Sequence, residues 1–177
     1  DRMRGRERVF HYISELCIKA EYNTILDVGG GAGLLRRFLP PSIILDVVDR
    51  SHSAKKSGEK IFPDVGFITG TIDDVFGYYD AIVGIQLVEH MNSYESFLKS
   101  AWSRAYKIVI VTFRNGLNGD EKIMFQKYCN DYWDNKYSYS KLLPWINSEI
   151  CPKLLGMNKV DVMRDYSPEI VLTLYKD

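Results

Sequence analysis

Thr24-Ile25-Leu26-Asp27-Val28-Gly29-Gly30-Gly31-Ala32-Gly33 is the stretch that decides how this chain is read. A short apolar strand reaches an acid and runs straight into a glycine turn, with Leu34, Leu35 and Phe38 following as the start of a helix that stops at Pro40-Pro41. Glycines let the backbone take positive φ and approach a ligand closely, and the free N–H groups of the next helix favour electron-rich groups. Such a turn is a place where nucleotides bind. A GxGxxG dinucleotide pattern beginning at Gly29 needs glycine or alanine at position 34, which is Leu34, and one beginning at Gly30 fails at Ala32. A pyrophosphate cradle is therefore disfavoured.

Working outward, the 177 residues suit one domain of ordinary size with a substantial core. Lys plus Arg and Asp plus Glu number 23 each, so net charge gives no reason to expect nucleic acid as a partner. The opening Arg2, Arg4, Arg6 and Arg8, and Lys55, Lys56 and Lys60, read as solvated helix faces. No membrane span or leader is read, and a cytoplasmic setting is the expectation. Cys17, Cys129 and Cys151 are odd in number and far apart, which argues against a disulfide framework or a zinc site. The chain begins at Asp1 without a methionine, which is compatible with a longer parent polypeptide.

The pattern along the chain predicts an α/β fold. An amphipathic helix over residues 3–18, within an amino-terminal segment 1–20, carries Val9, Phe10, Ile13, Leu16 and Cys17. Strands follow at 24–28, 43–49, 67–69, 79–84 and 108–113, the second nearly all apolar as a doubly buried parallel strand requires. Asn92 and Glu95 form a capping box for a helix with Tyr94, Phe97, Leu98, Ala101, Trp102 and Ala105 on its apolar face. Beyond Arg114 the reading gives a loop, a helix from Asp120 to about Trp133, another helical segment around Trp145, and two closing strands containing Val160 and Val162, then Ile170, Leu172 and Leu174, joined at Ser167-Pro168. Strands separated by helices imply a doubly wound, mostly parallel sheet with helices on both faces, here of seven strands with the final one antiparallel. Residues 22–115 form the nucleotide-binding half, 116–156 a covering segment and 157–177 the closing hairpin.

Asp27-x-Gly29-x-Gly31-x-Gly33 resembles motif I of the class I S-adenosylmethionine-dependent methyltransferases, in which the acid lies two residues before the first glycine. Tyr79-Asp80, followed by Gly84-Ile85-Gln86-Leu87-Val88-Glu89-His90, is similar to that family's fourth-strand motif, an opening Phe/Tyr-Asp and a closing Leu-Glu-His. The resemblance implies S-adenosylmethionine as cofactor, held by Asp27, Gly29, Gly30, Gly31 and Gly33, with Ile85 and Gln86 beside its methionine end. An acid some 20 residues beyond the turn binds ribose hydroxyls. Asp49, in Val48-Asp49-Arg50-Ser51, is preferred for this role, with Asp46 the alternative; the one not used needs a partner of its own. After the third strand, Thr71 stands where the family usually has an acid for the adenine amino group, and the Ile72 backbone faces the ring. The Thr71 hydroxyl serves there, or Asp73 reaches back, or the amino group meets water. Asp73-Asp74 also reads as a helix cap.

His90 is a candidate general base, with packing or helix capping as its other role. Methyl transfer from a sulfonium runs largely on positioning, so an acid–base pair is not obligatory. The chain has no Asn/Asp-Pro-Pro-aromatic element after strand four, which argues against nucleobase amino methylation, and no acid there to bind metal. Tyr128, Tyr132, Trp133, Tyr137, Tyr139 and Trp145 suit a cover over a small acceptor methylated at O or N, whereas Asn135 stands where many relatives have histidine. The competing readings are a catalytically silent methyltransferase-like module, an NAD-dependent oxidoreductase, and an aminopropyltransferase, to which Gly29-Gly30-Gly31 is similar but Ala32 is not.

Overall fold

The computed structural model describes residues 2–91, 94–114, 127–128, 132–133, 162–166 and 169–176. Helix α1 (Arg2–Lys19) leads into strand β1 (Thr24–Val28), whose partners are β2 (Ile44–Asp49) on one side and β4 (Tyr79–Gly84) on the other, both parallel. Strand β3 (Gly66–Thr69) adds to β2 and β5 (Ala105–Arg114) to β4, again parallel. Strands β6 (Lys127–Tyr128) and β7 (Tyr132–Trp133) pair with each other, and β8 (Val162–Tyr166) and β9 (Glu169–Tyr175) form the closing hairpin. Strand β9 runs antiparallel to β5, giving the order β3-β2-β1-β4-β5-β9-β8. The expected α/β, mostly parallel sheet with an antiparallel carboxy-terminal end is what forms. No helix among the described residues is long and apolar enough to cross a membrane.

Alternation along the strands divides the core in two, because successive side chains point to opposite faces. Leu26, Ile82, Val109 and Val111 join Tyr94, Phe97, Leu98 and Ala101 of helix α3 (Tyr94–Arg104) in one cluster. Ile25, Val47, Ala81, Val83 and Ile110 join Val9, Phe10, Ile13 and Cys17 of α1 in the other. Of the expected apolar face of α3, Tyr94, Phe97, Leu98 and Ala101 are buried, Trp102 is half-buried and Ala105 belongs to the next strand; Asn92 lies outside the described residues.

Three expectations change. The segment after the glycines is a five-residue 3-10 turn, Leu34–Phe38, because Pro40-Pro41 leave no room for a longer helix before β2. The helix expected to run to about Trp133 is overturned at 127–128 and 132–133, which are extended; Tyr128 is in register with Tyr132 across the ladder, and aromatic residues favour strands. Strand β5 begins at Ala105, earlier than its β-branched run. Residues 134–161, with the second helical segment and Val160, lie outside the described residues.

Helix α2 (His52–Ile61) starts at Ser51, whose Oγ accepts the Ala54 N–H at 3.1 Å. It seats Gly58 against Phe67 of β3, and a Cβ at Gly58 would collide with that ring. The Ala32 carbonyl oxygen, a backbone atom, would lie 3.1 Å from the same Cβ, so moving the ring alone does not make room. Alanine is the better helix former by about 0.8–1 kcal/mol, but overpacking costs about 1–3 kcal/mol. Gly58→Ala is therefore expected to lower the melting temperature; a melting temperature at or above that of the wild type rules out this packing.

Candidate functional site

The glycine turn emerges where the strand order reverses, between β2-β1 and β4-β5, and open α/β sheets bind ligands at such points. Gly29, Gly31 and Gly33 have φ of 71°, 59° and 76°, so all three occupy the left-handed region that the sequence assigns to glycine. The Gly29 N–H donates to the Val48 carbonyl at 2.7 Å, and the Gly31 N–H donates to Asp49 Oδ2 at 2.9 Å. Gly30 is needed for a different reason: a Cβ there would sit 2.5 Å from Asp27 Oδ2. A Cβ at Gly31 would meet nothing within 4 Å, so the turn faces open space.

Asp49 ends β2 and gathers the loops around it. Besides Gly31, its carboxylate accepts the Ser51 N–H on Oδ1 at 2.8 Å, and its carbonyl accepts the Gly70 N–H at 2.9 Å. Asp46 points elsewhere and has the partner it requires: the Tyr79 hydroxyl donates to its Oδ2 at 2.7 Å, and burial together with that bond pushes the Tyr79 hydroxyl pKa up. Between the two acids, the geometry favours Asp49 as the one facing the turn.

Thr71 and Ile72 follow Gly70 directly, with Ile72 buried. The Thr71 N–H and hydroxyl both donate to Asp74 Oδ2, at 2.8 and 3.0 Å, and these bonds hold the Asp74 carboxyl below the usual carboxylate range. Asp74 is thus the helix cap. Asp73 does not reach back. Its Oδ1 accepts from the Ser100 hydroxyl at 2.8 Å and lies 3.8 Å from Arg104 Nη1 on α3. From β4, Ile85 is buried and Gln86 takes φ 53°, its N–H donating to Thr112 Oγ1 at 2.7 Å. His90 ends a 3-10 turn (Val88–His90) and is half-buried. Asp27, the glycines, Asp49, Thr71-Ile72 and Ile85-Gln86 therefore collect at the carboxyl ends of β1 to β4, with Asp73 turned away.

Asp27 is 2% exposed, and its Oδ1 has no hydrogen-bond partner among the described residues. Burial pushes its pKa up to about 7, with the Arg6 guanidinium pulling it partly down and Asp49 pushing it further up. Arg6 is the residue that sequence reasoning missed. It was expected on a solvated face, yet it is half-buried beside Phe10, 5.2 Å from guanidinium carbon to ring centre. Its position three and four residues before Val9 and Phe10 on the buried stripe of α1 is the signal that could have found it.

The folded Asp27 carboxyl titrates near pH 7, whereas an unfolded one titrates near 3.9. Between these values the native state holds a proton that the unfolded state has released. This group's contribution to stability therefore falls by about 1.4 kcal/mol per pH unit from about pH 4 to 7 and is level above. Urea unfolding is expected to show Asp27→Asn gaining on the wild type as pH rises to 7 and no further; parallel profiles for the two proteins rule this out.

The fold is shared with several solved methyltransferases. The chain superposes on magnesium protoporphyrin IX methyltransferase from Synechocystis PCC 6803, solved with bound S-adenosylmethionine, at a TM-score of 0.67 and 12% identity over 98% of this chain and 80% of that one. For 1,6-didemethyltoxoflavin-N1-methyltransferase from Burkholderia thailandensis, solved with bound 1,6-didemethyltoxoflavin and S-adenosylhomocysteine, the values are 0.71 and 12% over 96% and 77%. For an S-adenosylmethionine-dependent methyltransferase from Clostridium acetobutylicum they are 0.64 and 14% over 93% and 89%. No family model and no curated protein sequence matches the chain. What these similarities establish is the architecture: the chain has the fold of S-adenosylmethionine-dependent methyltransferases.

Proposed function

We propose that this chain is an S-adenosylmethionine-dependent methyltransferase that methylates an oxygen or nitrogen of a small-molecule acceptor. The observation that carries the reading is the convergence on Asp49 of the loops after β1, β2 and β3 at the switch point of a methyltransferase-fold sheet. The finer frame inferred is a single domain on the class I plan, seven-stranded and doubly wound with helices on both faces. Its 116–156 segment covers the acceptor.

The residues present suit the cofactor. Gly29, Gly30, Gly31 and Gly33 form a cradle that opens onto free space at Gly31 and that a side chain at Gly30 would fill. Asp49 keeps acceptor capacity for ribose hydroxyls, because a carboxylate offers about four lone-pair sites and protein N–H groups take two of them. Thr71 and Ile72 would border the adenine, Ile85 and Gln86 the methionine end, and Asp27 would lie behind the turn. When bound, S-adenosylmethionine supplies an electrophilic methyl on a sulfonium. The chain's own residues then orient the reacting atoms and exclude water, which supplies much of the rate in an in-line displacement. His90 is the described side chain offered as a base, and the proposal does not require it.

One observation favours a second reading. Thr71 is bonded to Asp74, and Asp73 faces α3, so neither acid of this segment is offered to the adenine amino group; a catalytically silent cofactor-binding module fits that arrangement. Cofactor binding without turnover across an acceptor panel favours that reading over catalysis.

Calorimetry with S-adenosylhomocysteine is expected to show micromolar binding, with NAD inert. Asp49→Ala should weaken the affinity about 10- to 100-fold, since a hydrogen bond to a charged group is worth about 1.5–3 kcal/mol. A folded wild type that ignores S-adenosylhomocysteine overturns the proposal.

A further inference from the structure

The end of the sheet opposite the glycine turn carries the apolar residues that the core leaves out. Ile18, Ile44, Ile61, Phe76, Tyr78 and Tyr106 are the exposed large hydrophobics among the described residues, each more than half exposed. All six fall where the chain enters a strand. Ile44 opens β2, Phe76 and Tyr78 precede β4, Tyr106 is the second residue of β5, and Ile18 and Ile61 stand at the ends of α1 and α2 that lead into β1 and β3. Because β1 to β5 run parallel, these positions share one end of the sheet, while the glycine turn and Asp49 lie at the other. Three strand spacings of about 4.8 Å each separate Ile44 on β2 from Tyr106 on β5, so the residues are spread across the end rather than gathered in a groove.

Phe76 stands out furthest. It is 96% exposed although Val75 and Tyr79 beside it are buried, so an anchored segment holds the ring out in water. Gly77 turns the chain there at φ 108°, where a Cβ would meet nothing within 4 Å. Tyr78 stacks on Tyr106 with ring centres 5.3 Å apart. Charge decides what such an end fits. Lys19, Lys60 and Lys107 are exposed on it, and none is in an ion pair among the described residues. Of the acids in these connections, Asp64 lies 3.6 Å from Arg36, Glu59 lies 3.7 Å from Lys55, and Asp80 accepts from Asn23 and Thr24, with Glu21 left over.

Protein interfaces are depleted in lysine, and a two-fold contact with a second copy would bring the same three cations to both of its sides. A bilayer with anionic headgroups accepts both features at once: lysines meet the phosphates, tyrosines sit at headgroup level, and an apolar ring on a projecting turn reaches the acyl boundary. We propose that this end of the domain is a peripheral docking surface for an anionic lipid bilayer, with Phe76 as its insertion point and Lys19, Lys60 and Lys107 around it. Contact of this kind needs no spanning helix. It leaves the glycine turn, at the far end of the sheet, open to the aqueous side.

Flotation with vesicles of phosphatidylcholine alone, and of phosphatidylcholine with about one fifth phosphatidylserine, tests this. The wild type is expected to bind the anionic vesicles about 10- to 100-fold more tightly than the neutral ones and to be released by high salt. Phe76→Ser should weaken that binding about 10-fold. Lys107→Glu should weaken it about 10-fold as well, whereas Arg50→Glu, an equal change of net charge at the opposite end of β2, should leave it unchanged. All three positions are exposed, and a thermal melt on each variant verifies folding. A folded wild type that binds neither vesicle, equal binding to both, or Arg50→Glu as damaging as Lys107→Glu overturns the proposal. So does a mass that rises with protein concentration in the ultracentrifuge and falls back in Phe76→Ser without vesicle binding, which assigns this end to a second copy.

Discussion

Asp49 is the residue on which the rim at the carboxyl ends of β1, β2 and β3 depends. Its carboxylate holds the Gly31 and Ser51 amides and its carbonyl the Gly70 amide, so one residue ties the loops after β1, β2 and β3 into a single rim. Each tie has a further consequence. Gly31 is fixed at positive φ with its turn open to ligand, Ser51 is set to cap α2, and Gly70 is set to deliver Thr71 and Ile72. Three flexible connections between rigid strands would otherwise be independent, and a nucleoside spanning them would have to order all of them on binding. Ordering them beforehand is what a pre-formed site means here.

Asp27 adds a constraint of the opposite sign. Burying a carboxylate is unfavourable, and this one is buried without a hydrogen bond on Oδ1, with Gly30 tolerated behind it only because it lacks a side chain. Its neighbours divide into a cation that stabilises the charge, Arg6, and a second acid, Asp49, that destabilises it. A structural role alone would be served as well by an apolar residue of similar size, often with a gain in stability. What the fold supplies in return is the Arg6 charge, which pulls part of the burial-raised pKa back down.

The fold and most of the rim were legible because they follow from local rules. The strands were placed by their apolar and β-branched runs, β2 most clearly, and glycine at 29, 31 and 33 falls on three positive φ angles. The misreadings have physical causes. Leu34 and Leu35 stand at helical spacing from Phe38, but the nearby prolines limit the segment to a 3-10 turn. Tyr128 and Tyr132 are four apart, a spacing compatible with a helix, yet they face each other across a two-stranded ladder. Asp73 looked able to reach the adenine position because its partners, Ser100 and Arg104, lie 27 and 31 residues away and invisible to any local pattern. Arg6 escaped for the same reason: a charge on an amphipathic helix reads as solvated until the strand beneath it is known to carry a buried acid.

Gln86 shows how the sheet can serve chemistry without an acid–base pair. A non-glycine residue at φ 53° carries a strain of about 1–3 kcal/mol. It persists because Thr112, fully buried on β5, accepts its N–H at 2.7 Å, and because Gly29 packs against Leu87 with no room for a Cβ, which would lie 2.8 Å away. The floor of the site is thus fixed from three strands at once, β1, β4 and β5. For a displacement at a carbon already activated by its sulfonium, holding the donor in line matters more than moving a proton. In the proposed reading a floor fixed in this way would lie under the methionine end of the cofactor and hold it in line.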